Sequence, residues 1–198
     1  MEQSAKENQH SSLLAPLFEH TDLDQRLTVL NIGPALPETV TFFSQYRCRL
    51  YFEDLFSELP ALHRRHAEPD EEIEAKRQFI ESMRFPDDTR FDLCLFWDLF
   101  NFLDRDVLSA VLDVLQPHLH PGSQAHGFAV HNLRTEQSGK IYGLRSIDQI
   151  SMRSRGAKLP GYNPYNRGQL EKLLTCFKVV RSVLLPSSRL EFLLAARL

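Results

Sequence analysis

Three cysteines in 198 residues, Cys48, Cys94 and Cys176, are odd in number and far apart. They suggest neither a disulfide framework nor a cysteine metal site, and buried apolar thiols are expected at all three. Long apolar runs are missing as well. The most apolar stretch, LCLFWDLFNFL, is short and carries Asp98, so no membrane span is expected. The opening MEQSAKENQHSS is polar and lacks the apolar core of a secretion signal, which leads to the expectation of a soluble cytoplasmic protein. An excess of positive charge is absent too. The net charge of −3 argues against a globally basic nucleic-acid binder and leaves a local basic patch open. No nucleophile, metal set or hydrolytic triad stands out. The length suits one domain, with residues 1–24 as tail and short helix and residues 25–198 as the folded unit.

The stretch LTVLNIGPALPETVTFFSQYRCRLYFED organises what is there. Leu27–Ile32 is a short apolar run of the kind a doubly buried parallel strand shows, and Gly33-Pro34 breaks it. Pro37 and Glu38 open a helix, since proline in a first turn loses no bonded amide and a carboxylate suits the positive helix end. Val40, Phe43 and Tyr46 keep helical spacing. Residues 48–52 read as a second strand ending in Glu53 and Asp54. Strand, turn, helix, strand and terminal acid form a βαβ unit, whose first turn and last acid converge at the carboxyl edge of a sheet.

This unit, with the RFPDDTRFDLCLFWDLF stretch and the chain's end, resembles the class I methyltransferases, which bind S-adenosylmethionine. Phe85-Pro86-Asp87 and Phe91-Asp92 before the strand Leu93–Trp97 follow the family's loop into its fourth strand. Residues 178–185 and 190–197, joined by Pro186-Ser187-Ser188, read as an antiparallel hairpin, and a parallel sheet closed by a reversed last strand is characteristic of the family. The resemblance implies an α/β, Rossmann-like fold with a mainly parallel sheet, an antiparallel last strand and helices on both faces. It also implies S-adenosylmethionine as cofactor, with Gly33 at the methionine part and Glu53 on the ribose hydroxyls. The family's acid at the end of strand three, which reads the adenine amino group, is matched by Glu81 with Ser82 beside it. KRQFIESM suits a helix as well as it suits that third strand. Asp98 and Asn101 fall on the substrate side. The family's glycine-rich turn is reduced here: Ala35 and Pro37 follow Gly33, and Pro34 and Pro37 each remove an amide. Glu53 therefore keeps a second reading, as a plain strand-end carboxylate.

The rest of the chain is read from pattern. Residues 13–18 suit a short helix, and residues 1–12 read as disordered or loosely helical. EPDEEIEAKRQFIESM reads as a helix with an acidic start. Asp104 caps a helix whose apolar face is Val107, Leu108, Val111, Leu112 and Leu115. His63 and His66, and His118, His120, His126 and His131, read as solvated or packed histidines rather than metal ligands. Periodicity fails across residues 132–168. This insert carries seven basic residues, Arg134, Lys140, Arg145, Arg153, Arg155, Lys158 and Arg167, against Glu136 and Asp148, a net charge of +5. It also holds Tyr142, Tyr162 and Tyr165. Two readings stand: a plain solvated loop, or a basic, aromatic lid that contacts an anionic substrate, a nucleic acid or an acidic protein surface. For the contact, Arg145, Arg153, Arg155, Lys158, Tyr162 and Tyr165 are the candidates. Two functions follow. One is a methyltransferase acting on an unknown, anionic substrate; the other is a catalytically inactive protein of that fold, used as a binding or regulatory module through its insert.

Overall fold

The computed structural model describes residues 7–18, 26–64, 68–135 and 139–198. His66 and Glu136 lie outside them. Among the described residues no helix is long and apolar enough to cross a membrane.

The βαβ unit is formed as read. β2 (Leu27–Ile32) runs into the Gly33 turn, α2 (Pro37–Phe43) follows, and β3 (Cys48–Glu53) pairs with β2 in parallel from Leu27↔Cys48 to Ile32↔Glu53. β4 (Leu93–Trp97) pairs in parallel with the other side of β2, and β5 (Gln124–Val130) pairs in parallel with β4. β8 (Phe177–Leu185) and β9 (Arg189–Ala196) form the hairpin, with β9 antiparallel to β5. The sheet order is β3-β2-β4-β5-β9-β8. β2 is thus an interior strand, and the last strand is reversed.

One face of this sheet is covered by α3 (Leu55–Leu62), α4 (Pro69–Glu81), α5 (Arg105–Leu115) and α6 (Arg167–Leu173). Asp104 caps α5 through Val107 N at 2.9 Å, and the five apolar residues read from its spacing are all buried. Among the described residues no strand lies between β3 and β4, because residues 69–81 are continuous helix with a reciprocal Glu68/Glu71 cap. The expected third strand is therefore corrected to the C-terminal half of α4.

The second face differs more from expectation. It is covered by α1 (Ala15–Phe18), α2 and a second, antiparallel sheet of order β1-β7-β6, made of β1 (Glu7–His10), β6 (Lys140–Ser146) and β7 (Gln149–Ser154). The stretch read as aperiodic holds a hairpin. Tyr142 and Leu144 on β6 and Ile150 and Met152 on β7 alternate inward with the period of a strand and are buried against Trp97, Phe128 and α2. Residues 7–10, read as disordered or loosely helical, supply the strand that completes this sheet. The cysteine expectation needs a smaller correction: Cys94 and Cys176 are buried, but Cys48 is only partly so.

Candidate functional site

At β2 the sheet has β3 on one side and β4 on the other, so the carboxyl ends of these strands open a crevice between their connections. Gly33 sits at its base with φ +137°, a conformation that side chains rarely adopt, and its amide donates to the Glu53 carbonyl at 2.8 Å. A Cβ there would meet only Asn31 Nδ2, at 3.8 Å, so the turn leaves open space. Glu53 follows on β3, half-buried, without a side-chain partner among the described residues, and burial raises its pKa.

Behind the turn, buried side chains form a chain of contacts. Asn31, 1% exposed, donates through Nδ2 to the Gly33 carbonyl at 3.3 Å and accepts from Trp97 Nε1 at 3.0 Å. Trp97 ends β4 with φ +52°, beside a register shift between β4 and β5, and stacks on Tyr142 with ring centres 5.3 Å apart and planes 9° from parallel. The Tyr142 hydroxyl donates to Asp98 Oδ2 at 3.1 Å. Burial pushes Asp98 up to about 6, against the opposing pull of the Tyr142 bond and of Arg189 and Arg155. The Tyr142 phenol is itself driven well above its ordinary value, chiefly by burial. Asn101 lies one turn after Asp98, its amide nitrogen donating to the Phe128 carbonyl at 3.4 Å.

The insert crosses this edge. Arg155 donates to the Lys140 carbonyl at 3.2 Å, lies over the Phe56 ring at 4.5 Å and approaches Asp54 at 3.7 Å. Farther along, Asn163 N donates to the Asn101 carbonyl at 2.8 Å, and Tyr162 packs on Phe102 with centroids 5.5 Å apart. Its hydroxyl donates to the Thr135 carbonyl at 2.5 Å, and that of Tyr165 to the Leu103 carbonyl at 2.8 Å.

Of the residues singled out from sequence, the structure gathers Gly33, Glu53, Asp98, Asn101 and Arg155 at the carboxyl edge. Glu81 and Ser82 are not there. They end α4, where Glu81 pairs with Arg77 at 2.8 Å and Arg84 at 3.5 Å, and Ser82 Oγ donates to the Phe79 carbonyl at 2.7 Å. Helical continuity from Pro69 removes the strand end they were to occupy. The basic residues are spread out. Arg153 Nη2 meets both oxygens of Glu38, at 2.7 and 2.8 Å, and Arg145 donates to Asn8 at 3.1 Å. Lys158 is exposed. Asn31, Trp97 and the buried part of Tyr142 escape the sequence reading. The signal for Asn31 is present nonetheless, as a polar residue inside an apolar strand.

The histidines divide as solvated and packed: His131 is exposed, whereas His126 is buried. His126 Nε2 lies 2.7 Å from Glu191 Oε1 in a fully buried pair, which Ser11 also joins through Glu191, and His120 Nε2 lies 3.0 Å from Asp92. Each thus has a carboxylate that the sequence reading does not supply. Among the described residues no three His, Cys, Asp or Glu side chains gather to hold a metal.

The sheet order, the crevice at its switch point and the reversed last strand define a Rossmann-like α/β protein. Comparison with solved structures then narrows the class. The chain is similar to the N-methyltransferase NodS from Bradyrhizobium japonicum WM9, with 15% identity over 93% of each chain and a TM-score of 0.50. It is similar also to the CcbJ methyltransferase from Streptomyces caelestis, with 11% identity over 93% of this chain and 94% of that one, and a TM-score of 0.50. No protein-family model matches the chain, and no curated protein matches it in sequence. The protein has the class I methyltransferase fold.

Proposed function

We propose that the protein binds S-adenosylmethionine at the carboxyl edge between β3, β2 and β4 and works as a methyltransferase in the cytoplasm. The observation that carries this reading is the pairing of the Gly33 turn with Glu53: open space above a glycine, and beside it a half-buried carboxylate with no side-chain partner among the described residues. Such a carboxylate suits the two hydroxyls of a ribose. The other arms of the site fit less well. Pro34 and Pro37 withhold amides from the turn, and with Glu81 on α4 no strand-end acid faces an adenine. When bound, the cofactor supplies a methyl group on a sulfonium. The chain's own task is to hold an acceptor in line with it, and positioning supplies much of the rate. We assign that role to Asp98 and Asn101, on the turn after β4.

Titration calorimetry with S-adenosylmethionine tests this. E53A is expected to weaken binding by about 1.5 to 3 kcal/mol, the loss of charge-assisted hydrogen bonds to the ribose. Absence of both binding heat and thermal shift in the wild type at millimolar cofactor would sink the enzyme reading. It would favour a non-catalytic binding module, which the two prolines in the turn already support.

A further inference from the structure

Three buried side-chain acceptors at the carboxyl edge lack a hydrogen-bond partner among the described residues. Asp98 and Asn101 are each 2% exposed, and Asp98 Oδ1 and Asn101 Oδ1 have no hydrogen-bond partner among the described residues. The Asn101 amide donates to the Asp98 carbonyl at 3.1 Å, so both side chains start from one turn. Asp54 Oδ1 is buried too, and its neighbour Arg155 Nη2, at 3.7 Å, stands beyond hydrogen-bond reach. Leaving a buried acceptor unmet is costly, more so for a charged one, so three at one edge call for a donor. Charge points the same way: Glu53, Asp54 and Asp98 outnumber Arg155 and Arg189, leaving the edge acidic when all are ionised. The basic residues that suggest an anionic substrate in the sequence are placed otherwise, with Arg153 bound to Glu38.

We propose that this edge is a binding site for a ligand bearing a protonated primary amine, with Asp98 Oδ1 and Asn101 Oδ1 as its main acceptors and Asp54 at its margin. An ammonium group offers three donors, no acceptor and a positive charge, which matches the deficit. Asp98 also accepts a proton from it: transfer from nitrogen to Oδ1 leaves a neutral carboxyl and an amine with a free lone pair, and burial favours that neutral pair. Tyr142 on β6, Arg155 after β7 and Arg189 on β9 are the charged or titratable groups facing Asp98. Arg155 holds the charge position that the ligand takes. That the amine is the methyl acceptor rests on the function proposed above; that it binds does not.

Phenethylamine and 3-phenylpropionate, nearly the same shape with opposite charge, are the probes, titrated into the full chain by calorimetry and followed by thermal shift. Saturable binding of the amine and none of the carboxylate is expected. D98N is expected to weaken the amine at least about tenfold. R155M keeps methylenes over Phe56 and removes the competing cation, so it is expected to strengthen amine binding about threefold or more, whereas a purely structural Arg155 would give weaker binding. Carboxylate binding equal to that of the amine, or amine binding untouched by D98N, overturns the proposal. S-adenosylmethionine is titrated separately. Cofactor heat without amine binding sinks the amine site alone; amine binding without cofactor heat sinks the methyltransferase reading and leaves the amine site standing; neither heat overturns both.

Discussion

D98N is expected to stabilise the protein at about pH 8 and to leave it nearly unchanged at about pH 4, the reverse of what removing a structural carboxylate does. Asp98 is completely buried and its pKa stands at about 6, against an ordinary 3.8 in the unfolded chain. The native state therefore holds this proton more tightly. Its contribution to stability is fully present below the unfolded value and is lost as pH rises through the folded one. At neutral pH and above, keeping Asp98 ionised costs about 3 kcal/mol. Asparagine keeps an oxygen to accept from Tyr142 and carries no charge. Its new amide donors offset about 1 kcal/mol of the gain if they find no acceptor. The net gain of about 2 to 3 kcal/mol corresponds to roughly 4 to 12 °C in a chain of this size. Melting curves of both proteins across this pH range check it. A gap of equal size at every pH, or a less stable variant at the alkaline end, would refute the account of Asp98. A carboxylate held at such a cost is expected where it is used.

Charge reversal in the insert has the opposite sign. R153E sets a second carboxylate against Glu38, whose side chain is 10% exposed and already accepts from Ser151 at 2.6 Å. R155E does the same against Asp54 and removes a cation from the face of Phe56. Breaking a buried pair costs about 3 to 5 kcal/mol. With the Arg153 side chain 31% exposed, solvent screening reduces its share, and we expect on the order of 4 kcal/mol for the double variant. K158E, on an exposed residue, should change stability by no more than about 0.5 kcal/mol. Urea denaturation reads both as shifts in midpoint at constant slope. A double variant with the wild-type midpoint would show that these arginines are free surface charges after all. The pairing is with Glu38 at the start of α2 and Asp54 at the start of α3, and the acidic start of α4 takes no part.

The elements legible in the sequence are those whose information lies within one window. An apolar run broken at Gly33-Pro34, proline and glutamate opening α2, Asp104 before an apolar helical face, and a three-residue link between two strands each settle local backbone through dihedral limits, capping and side-chain period. They were enough for the βαβ unit, the reversed last strand and four of the edge residues, Gly33, Glu53, Asp98 and Asn101. The C-terminal half of α4 was ambiguous because KRQFIESM satisfies both periods, and the helix won through the cap at Glu68 far upstream in the same helix. Tertiary structure alone decided the rest. β6 and β7 are short, carry Gly143 and several basic residues, and pair with each other as a hairpin that gains its third strand from β1, more than a hundred residues earlier. The arginines of the insert were indistinguishable from free charges until folding set Glu38 and Asp54 beside them. Asp98 was legible as a residue, but its lifted pKa was not, since that comes from burial beneath the second sheet, which outweighs the opposing Tyr142 bond. Periodicity and capping act between near neighbours, whereas burial, ion pairing and hydrogen-bond satisfaction belong to residues that only the folded chain brings together.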